Sequence, residues 1–327
     1  MVGGPLLDPY NVFHVENIRY NGIENNVHYI KMSYILKNPD KFDSFLFGAS
    51  KVGAIHAEKI EGEKCYNMTY PGGVPDEHLA NIRTFLENGI HPKKIYLGVD
   101  CTSYSTSQGF DPRTHINEQI RCPYEYLKAH PLHFYALYLN PSVILRSLYY
   151  YKYWGRNNDD AASKFYQYGA YYPYGTKSLT KLERSVLKPV KNQHITKNNP
   201  LFYEELKAIR AIVEICRAEN IKLVVFINPT YHTLYIDALS GGYTIFFKEL
   251  AEITEFYNFD GMNDVTMNDD SFINLPHYKP EVGDMILEVI CKGVKYDGLY
   301  EQGFGWKVDK NNIQEFLKLT EISGVEI

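Results

Sequence analysis

Ile221-Lys222-Leu223-Val224-Val225-Phe226-Ile227-Asn228-Pro229 is an apolar run with almost no alternation, and it limits the fold more than any other stretch. A strand with one wet face alternates polar and apolar residues. A strand covered on both faces does not, and such strands belong to parallel sheets flanked by helices. The run follows 201–220, where Leu206, Ile209, Ile212, Val213 and Cys216 recur at helical spacing along one face. A helix that delivers the chain into a buried strand implies right-handed crossovers.

Three other segments read as strands of the same sheet: Ser44-Phe45-Leu46-Phe47, Lys64-Cys65-Tyr66-Asn67-Met68 and Ile95-Tyr96-Leu97-Gly98-Val99. The spacing predicts a helix over 51–60 after the first, and a helix over 78–88, capped by Asp76 and closed at Gly89, after the second. A helix or strand is expected over 29–36, and a helix over 243–255 before a short last strand, Phe256-Tyr257-Asn258-Phe259-Asp260. Helices over 280–289 and 309–319 complete the pattern. Open sheets of this kind hold their ligands at the carboxyl ends of the strands. Ser50, Gly72, Asp100 and Pro229 all stand at such ends.

Ser50 closes Gly48-Ala49-Ser50, where a strand turns into the next element. A serine at such a turn can hold its hydroxyl clear of the sheet, with its own N–H facing any oxyanion that forms there. It needs a base, and His277 in Asn274-Leu275-Pro276-His277-Tyr278-Lys279-Pro280-Glu281-Val282-Gly283 is the candidate. Singly, a helix-capping serine and a buried hydrogen-bonded histidine would account for both residues; their positions in the α/β pattern favour a pair.

These two motifs resemble the SGNH/GDSL hydrolase superfamily, and within it the extracytoplasmic branch that handles acyl groups on bacterial surface glycans. The resemblance covers most of the chain from residue 8 onward. It implies one three-layer α/β/α, flavodoxin-like domain over 1–327, with a lead-in over 1–40 and a Tyr-rich insertion or lid over 102–198. It implies Ser50 as nucleophile and His277 as base. The oxyanion would be held by the N–H groups of Ser50 and of Gly72 or Gly73, although Pro71-Gly72-Gly73 also reads as an ordinary turn.

Two positions depart from the family pattern. Where an Asn should donate to the oxyanion stands Asp100, which is protonated by burial, turned aside into a structural hydrogen bond, or the sign of a different site. Where an Asp should orient the base stands Asn274, whose carbonyl can fix the imidazole tautomer without supplying charge. Asp269 or Asp270 could supply that charge from the same loop. His232, Tyr278 and Arg113 are weaker candidates for substrate contacts.

The implied activity is that of a serine esterase or O-acyltransferase on an acylated carbohydrate or small ester, with no metal or organic cofactor. The alternative is a non-catalytic glycan-binding or assembly protein on the same fold. A nucleotide-binding enzyme is a third reading, which no phosphate-binding glycine fingerprint supports. Aromatic residues make up 15% of the chain, 29 of them Tyr, and a flat ring with a polar rim suits sugars and protein interfaces alike. A compositional habit of the source would explain them equally well.

A net charge of −5 offers nothing to attract nucleic acid or an anionic membrane surface. Cys65, Cys101, Cys122, Cys216 and Cys291 lack zinc-site spacing, and Cys216 and Cys291 read as buried thiols on helix faces. No run reaches the ~20 apolar residues of a transmembrane helix, and the first residues are no signal peptide, so the chain taken as given reads as cytoplasmic. Residues 8–14 nevertheless resemble the segment that follows an N-terminal membrane anchor in the related surface proteins, which implies an extracytoplasmic protein whose anchor is missing from this chain.

Overall fold

A computed structural model of the chain describes residues 27–105, 124–130 and 200–320, with a few single positions between 132 and 169. Arg113 and most of the Tyr-rich insertion lie outside the described residues.

The described chain enters through α1 (Val27–Lys37) and reaches β1 (Ser44–Phe47), whose four residues are all buried. Two 3-10 turns, Ser50–Ala54 and Ala57–Lys59, lead to β2 (Cys65–Asn67), α2 (Pro75–Glu87) and β3 (Lys94–Val99). The short α3 (Thr102–Ser105) and α4 (Tyr124–Ala129) precede α5 (Pro200–Ala218) and β4 (Lys222–Ile227). Then come α6 (His232–Ser240), α7 (Tyr243–Ile253) and β5 (Phe256–Asn258). A hairpin of β6 (Phe272–Asn274) and β7 (His277–Tyr278) leads into α8 (Pro280–Lys292), β8 (Trp306–Val308) and α9 (Ile313–Lys318).

Six strands form one sheet in the order β2-β1-β3-β4-β5-β8. The first five are parallel, and β8 is antiparallel to β5. Alternate strand residues feed two separate cores. Phe45, Phe47, Ile95, Leu97, Val225 and Ile227 pack with side chains of α1, α2, α5 and α7, while Leu46, Tyr96, Val224 and Phe226 pack with the 3-10 turns, the hairpin and α8. The result is a mixed α/β molecule with a mostly parallel sheet covered on both faces, as the unalternating strand at 221–229 requires. Among the described residues no helix is long and apolar enough to cross a membrane.

Several expectations are corrected. The strand at Phe256–Asn258 is not the last, because β8 closes the edge beyond it. Residues 51–60 form two 3-10 turns rather than one helix. The Asn67 amide donates to the Val52 and Ile55 carbonyls at 3.1 and 3.2 Å, and the Val52 carbonyl also accepts the Ile55 N–H at 3.0 Å in the tighter three-residue pattern. Asp76 does not cap α2. Val74 is the N-cap with Pro75 after it, and the buried Glu205 carboxyl of α5 accepts from the Asp76 N–H at 3.0 Å. Cys291 is exposed, not buried, and like Cys65, Cys101 and Cys216 it is a free thiol.

Candidate active site

Strand β1 is followed by Gly48, and the neighbouring β3 carries Gly98. A Cβ at either would lie 2.4 or 2.5 Å from a Val52 methyl, so these two glycines make the hole into which Val52 is plugged. Seating Val52 folds the 3-10 turn back over the strand ends and leaves Ser50 half-exposed at the rim, with Lys51 turned inward. Among the described residues, no carbonyl accepts from the Ser50 N–H.

The partner comes from the other end of the sequence. Ser50 Oγ and His277 Nε2 are 2.8 Å apart, across 227 residues of chain. The β6–β7 hairpin is so tight that Asn274 pairs directly with His277 in its register. Asn274 Oδ1 therefore accepts from both the His277 backbone N–H, at 3.1 Å, and His277 Nδ1, at 2.6 Å. A backbone N–H can only donate, so the shared atom is the amide oxygen and Nδ1 carries the hydrogen. Nε2 is then the bare nitrogen that faces the serine hydroxyl. Burial pushes the His277 imidazole down to about 4, with the Lys51 ammonium pushing the same way and Asp100 opposing. It is neutral at pH 7 and ready to accept a proton.

Asp100, at the end of β3, is an ionised acceptor and not an oxyanion donor. Burial alone would raise its carboxyl, but the Lys51 ammonium at 3.1 Å, together with the hydroxyl and N–H of Thr102, outweighs that and holds it below the usual carboxylate range. Lys51 is likewise kept charged: burial pulls the ammonium down, and the Asp100 carboxylate, together with Cys101 and Asp260, more than compensates. Of the three accounts of Asp100 left open by the sequence, the geometry shows a structural hydrogen-bonding role, with both side-chain oxygens accepting from Lys51, Thr102 and Asn228.

Gly73 is also displaced from the proposed role. Its N–H donates to the Tyr70 carbonyl at 3.3 Å, and a Cβ there would sit 2.8 Å from the His78 ring. Gly72, with φ of 66° in the same turn, is half-exposed. Tyr278 is no substrate contact: it is fully buried, and its hydroxyl donates to Asn228 Oδ1 at 3.1 Å. His232 opens α6 with its ring 4.3 Å from that of Tyr231. Asp269 accepts from the Tyr231 hydroxyl at 2.6 Å, and it is Asn274 that takes His277 Nδ1.

Sequence reasoning passed over Lys51, Asn228, Thr230 and Asp260, all buried at the carboxyl rim of the sheet. Lys51 Nζ donates to Thr230 Oγ1 at 3.3 Å, and the Thr230 N–H donates to Asp260 Oδ1 at 2.9 Å. Burial raises the Asp260 carboxyl to about 7, against the pull of Lys51 and two backbone N–H groups. The signal was available: Asn228 and Asp260 are polar residues placed one and two positions after the ends of β4 and β5. A separate surface groove of about 270 Å³ runs along α8 past Lys59, Asp284 and Cys291, without Ser50 or His277. No family model matches the chain, and no curated protein matches it.

Proposed function

We propose that this chain is a serine esterase or O-acyltransferase, SGNH/GDSL-like in fold, acting on an acylated carbohydrate outside the cytoplasm. One observation carries the reading: a serine hydroxyl and a neutral imidazole in hydrogen-bonding contact at the carboxyl rim of a parallel sheet, with the imidazole's other nitrogen held by an amide oxygen. The strand order β2-β1-β3-β4-β5 supports it, because flavodoxin-like sheets of that order place ligands between the first and third strands, where Ser50 stands.

In this reading Ser50 Oγ attacks the acyl carbonyl while its proton passes to His277 Nε2. The tetrahedral oxyanion is met by the Ser50 N–H, with the Gly72 turn on the adjoining side. The bond to the leaving oxygen breaks, His277 returns the proton to that oxygen, and the acyl group remains on Ser50. Water or a sugar hydroxyl then attacks the acyl-serine, giving its proton to His277. Collapse releases the acid or new ester and restores the Ser50 hydroxyl.

A fluorophosphonate probe tests this directly. The expected result is a covalent adduct on Ser50 that is lost in Ser50→Ala and reduced at least ~100-fold in rate in His277→Ala, the loss typical of a general base. Full labelling in Ser50→Ala, or none in the intact protein, would overturn the enzyme. The second outcome combined with oligosaccharide binding would favour the non-catalytic glycan-binding protein.

A further inference from the structure

Behind the Ser50–His277 contact runs a second path between the same two residues. Lys51, next to Ser50 in the chain, places Nζ 3.1 Å from Asp100 Oδ1. Asp100 Oδ2 accepts from Asn228 Nδ2 at 3.3 Å, and Asn228 Oδ1 accepts from the Tyr278 hydroxyl at 3.1 Å. Tyr278 is the residue after His277, whose Nε2 meets Ser50 Oγ at 2.8 Å. The ring therefore closes: Ser50, Lys51, Asp100, Asn228, Tyr278, His277 and back to Ser50.

Its four inner members are 3%, 1%, 0% and 0% exposed, in that order. Polarity is consistent at every link. An ammonium donates to a carboxylate, the carboxylate accepts from an amide N–H, and the amide oxygen accepts from a phenol. Burial, followed by the Asp100 charge, raises the Tyr278 hydroxyl well above its usual value, so the phenol keeps the hydrogen it donates. Asn in place of Asp100 would remove the negative charge opposite Lys51 and leave a buried ammonium without its counter-ion.

We infer that Lys51, Asp100, Asn228 and Tyr278 act together as one positioning device that fixes the separation and orientation of Ser50 and His277. This deepens the serine-enzyme reading and rests on it. The turn carrying Ser50 and the hairpin carrying His277 lie far apart in sequence, and the uncharged Asn274 orients only the imidazole. The ring ties the backbone next to the nucleophile to the backbone next to the base, through the ends of β3 and β4.

Tyr278→Phe keeps the buried ring and deletes one hydroxyl, so it breaks the circuit with least damage to packing. With p-nitrophenyl acetate as substrate, it is expected to lower kcat by ~10- to ~100-fold at nearly unchanged KM, the cost of a misplaced reacting group. It should slow fluorophosphonate labelling in parallel. Asn228→Ala should do the same, and the double variant should fall no further than the worse single one, because a ring already broken cannot be broken again.

His277 imidazole nitrogens followed by NMR give a readout without substrate: its titration midpoint should rise in Lys51→Met and fall in Asp100→Asn, and its ring signals should shift in Tyr278→Phe. Wild-type kcat in Tyr278→Phe, with Ser50→Ala inactive, would overturn the positioning device and leave the serine enzyme standing. Failure of all Ser50-dependent chemistry in the intact protein would remove the enzyme. The ring would then stand or fall on the NMR alone, with unmoved His277 signals in Tyr278→Phe and an unmoved midpoint in Lys51→Met counting against it.

Discussion

An imidazole that serves as a base must be neutral, and the surroundings of His277 secure this to an unusually low pH. Because burial, reinforced by Lys51, brings its proton affinity down to about 4, the acid limb of kcat/KM for Ser50-dependent hydrolysis should lie near 4. A limb near the ordinary histidine value would mean that the site is open to solvent. The same environment would penalise the imidazolium formed in the proposed attack, and Asn274 offers no charge to offset it. Asn274→Asp should therefore raise the His277 titration midpoint in an NMR titration and increase kcat at pH 7 by about tenfold, a fraction of the ~100-fold or more that a general base supplies as a whole. Unchanged turnover with a raised midpoint would show that charge beside Nδ1 is not what limits the reaction.

At the level of elements, close backbone contacts hold the site in place. Helix α8 presses on the Ser50 turn at Gly283, where an added Cβ would lie 2.7 Å from the Ala54 carbonyl oxygen. Backbone on that side cannot yield as a side chain would. Gly283→Ala should cost about 1–3 kcal/mol, measured by denaturant unfolding, and should also slow labelling of Ser50 as α8 pushes the turn aside. On the opposite side of the sheet, Lys31 of α1 sends Nζ to the carbonyls of Asn67, Thr69 and Gly169 at 2.7, 2.6 and 2.7 Å. The Asn67 side chain links that loop to the Ser50 turn. Lys31→Met would leave three buried carbonyls without this donor, at ~1–3 kcal/mol for each unsatisfied group, and should lower Tm by several degrees in a calorimetric scan. An unchanged Tm would mean that water reaches those carbonyls.

For the molecule as a whole, stability should depend on acid through groups buried in their neutral forms. Burial lowers His28 to about 4 and His78 to about 3, with His277 at about 4. Unfolded chains bind these protons from about 6.5 downward. Stability should therefore fall as pH drops from about 6.5 through 4 toward 3. Asp260 works in the opposite sense: its raised carboxyl stabilises the folded form fully below about 3.8, and that contribution is lost as pH rises through about 7. Urea midpoints measured from pH 7 to 4 should accordingly fall more steeply in Asp260→Asn than in the natural chain. Equal slopes would exclude Asp260 as the opposing group.

The parallel, doubly covered sheet was legible because burial on both faces writes itself into a strand locally, as at 221–229, and because helical spacing is equally local. So were the places of Ser50 and His277, each marked by its own short motif. What could not be read was anything set by the meeting of distant segments: the Asn67 amide that bonds the 3-10 turns, the Glu205 carboxyl at the N-terminus of α2, and the Lys51 ammonium beside Asp100. Hydrophobic periodicity is a property of neighbours along the chain, whereas a charge state or a hydrogen-bond partner is a property of neighbours in space. The sequence by itself therefore determined the layers and which residues stand at the strand ends, and only the tertiary structure decided which side chains touch and which of them hold their protons.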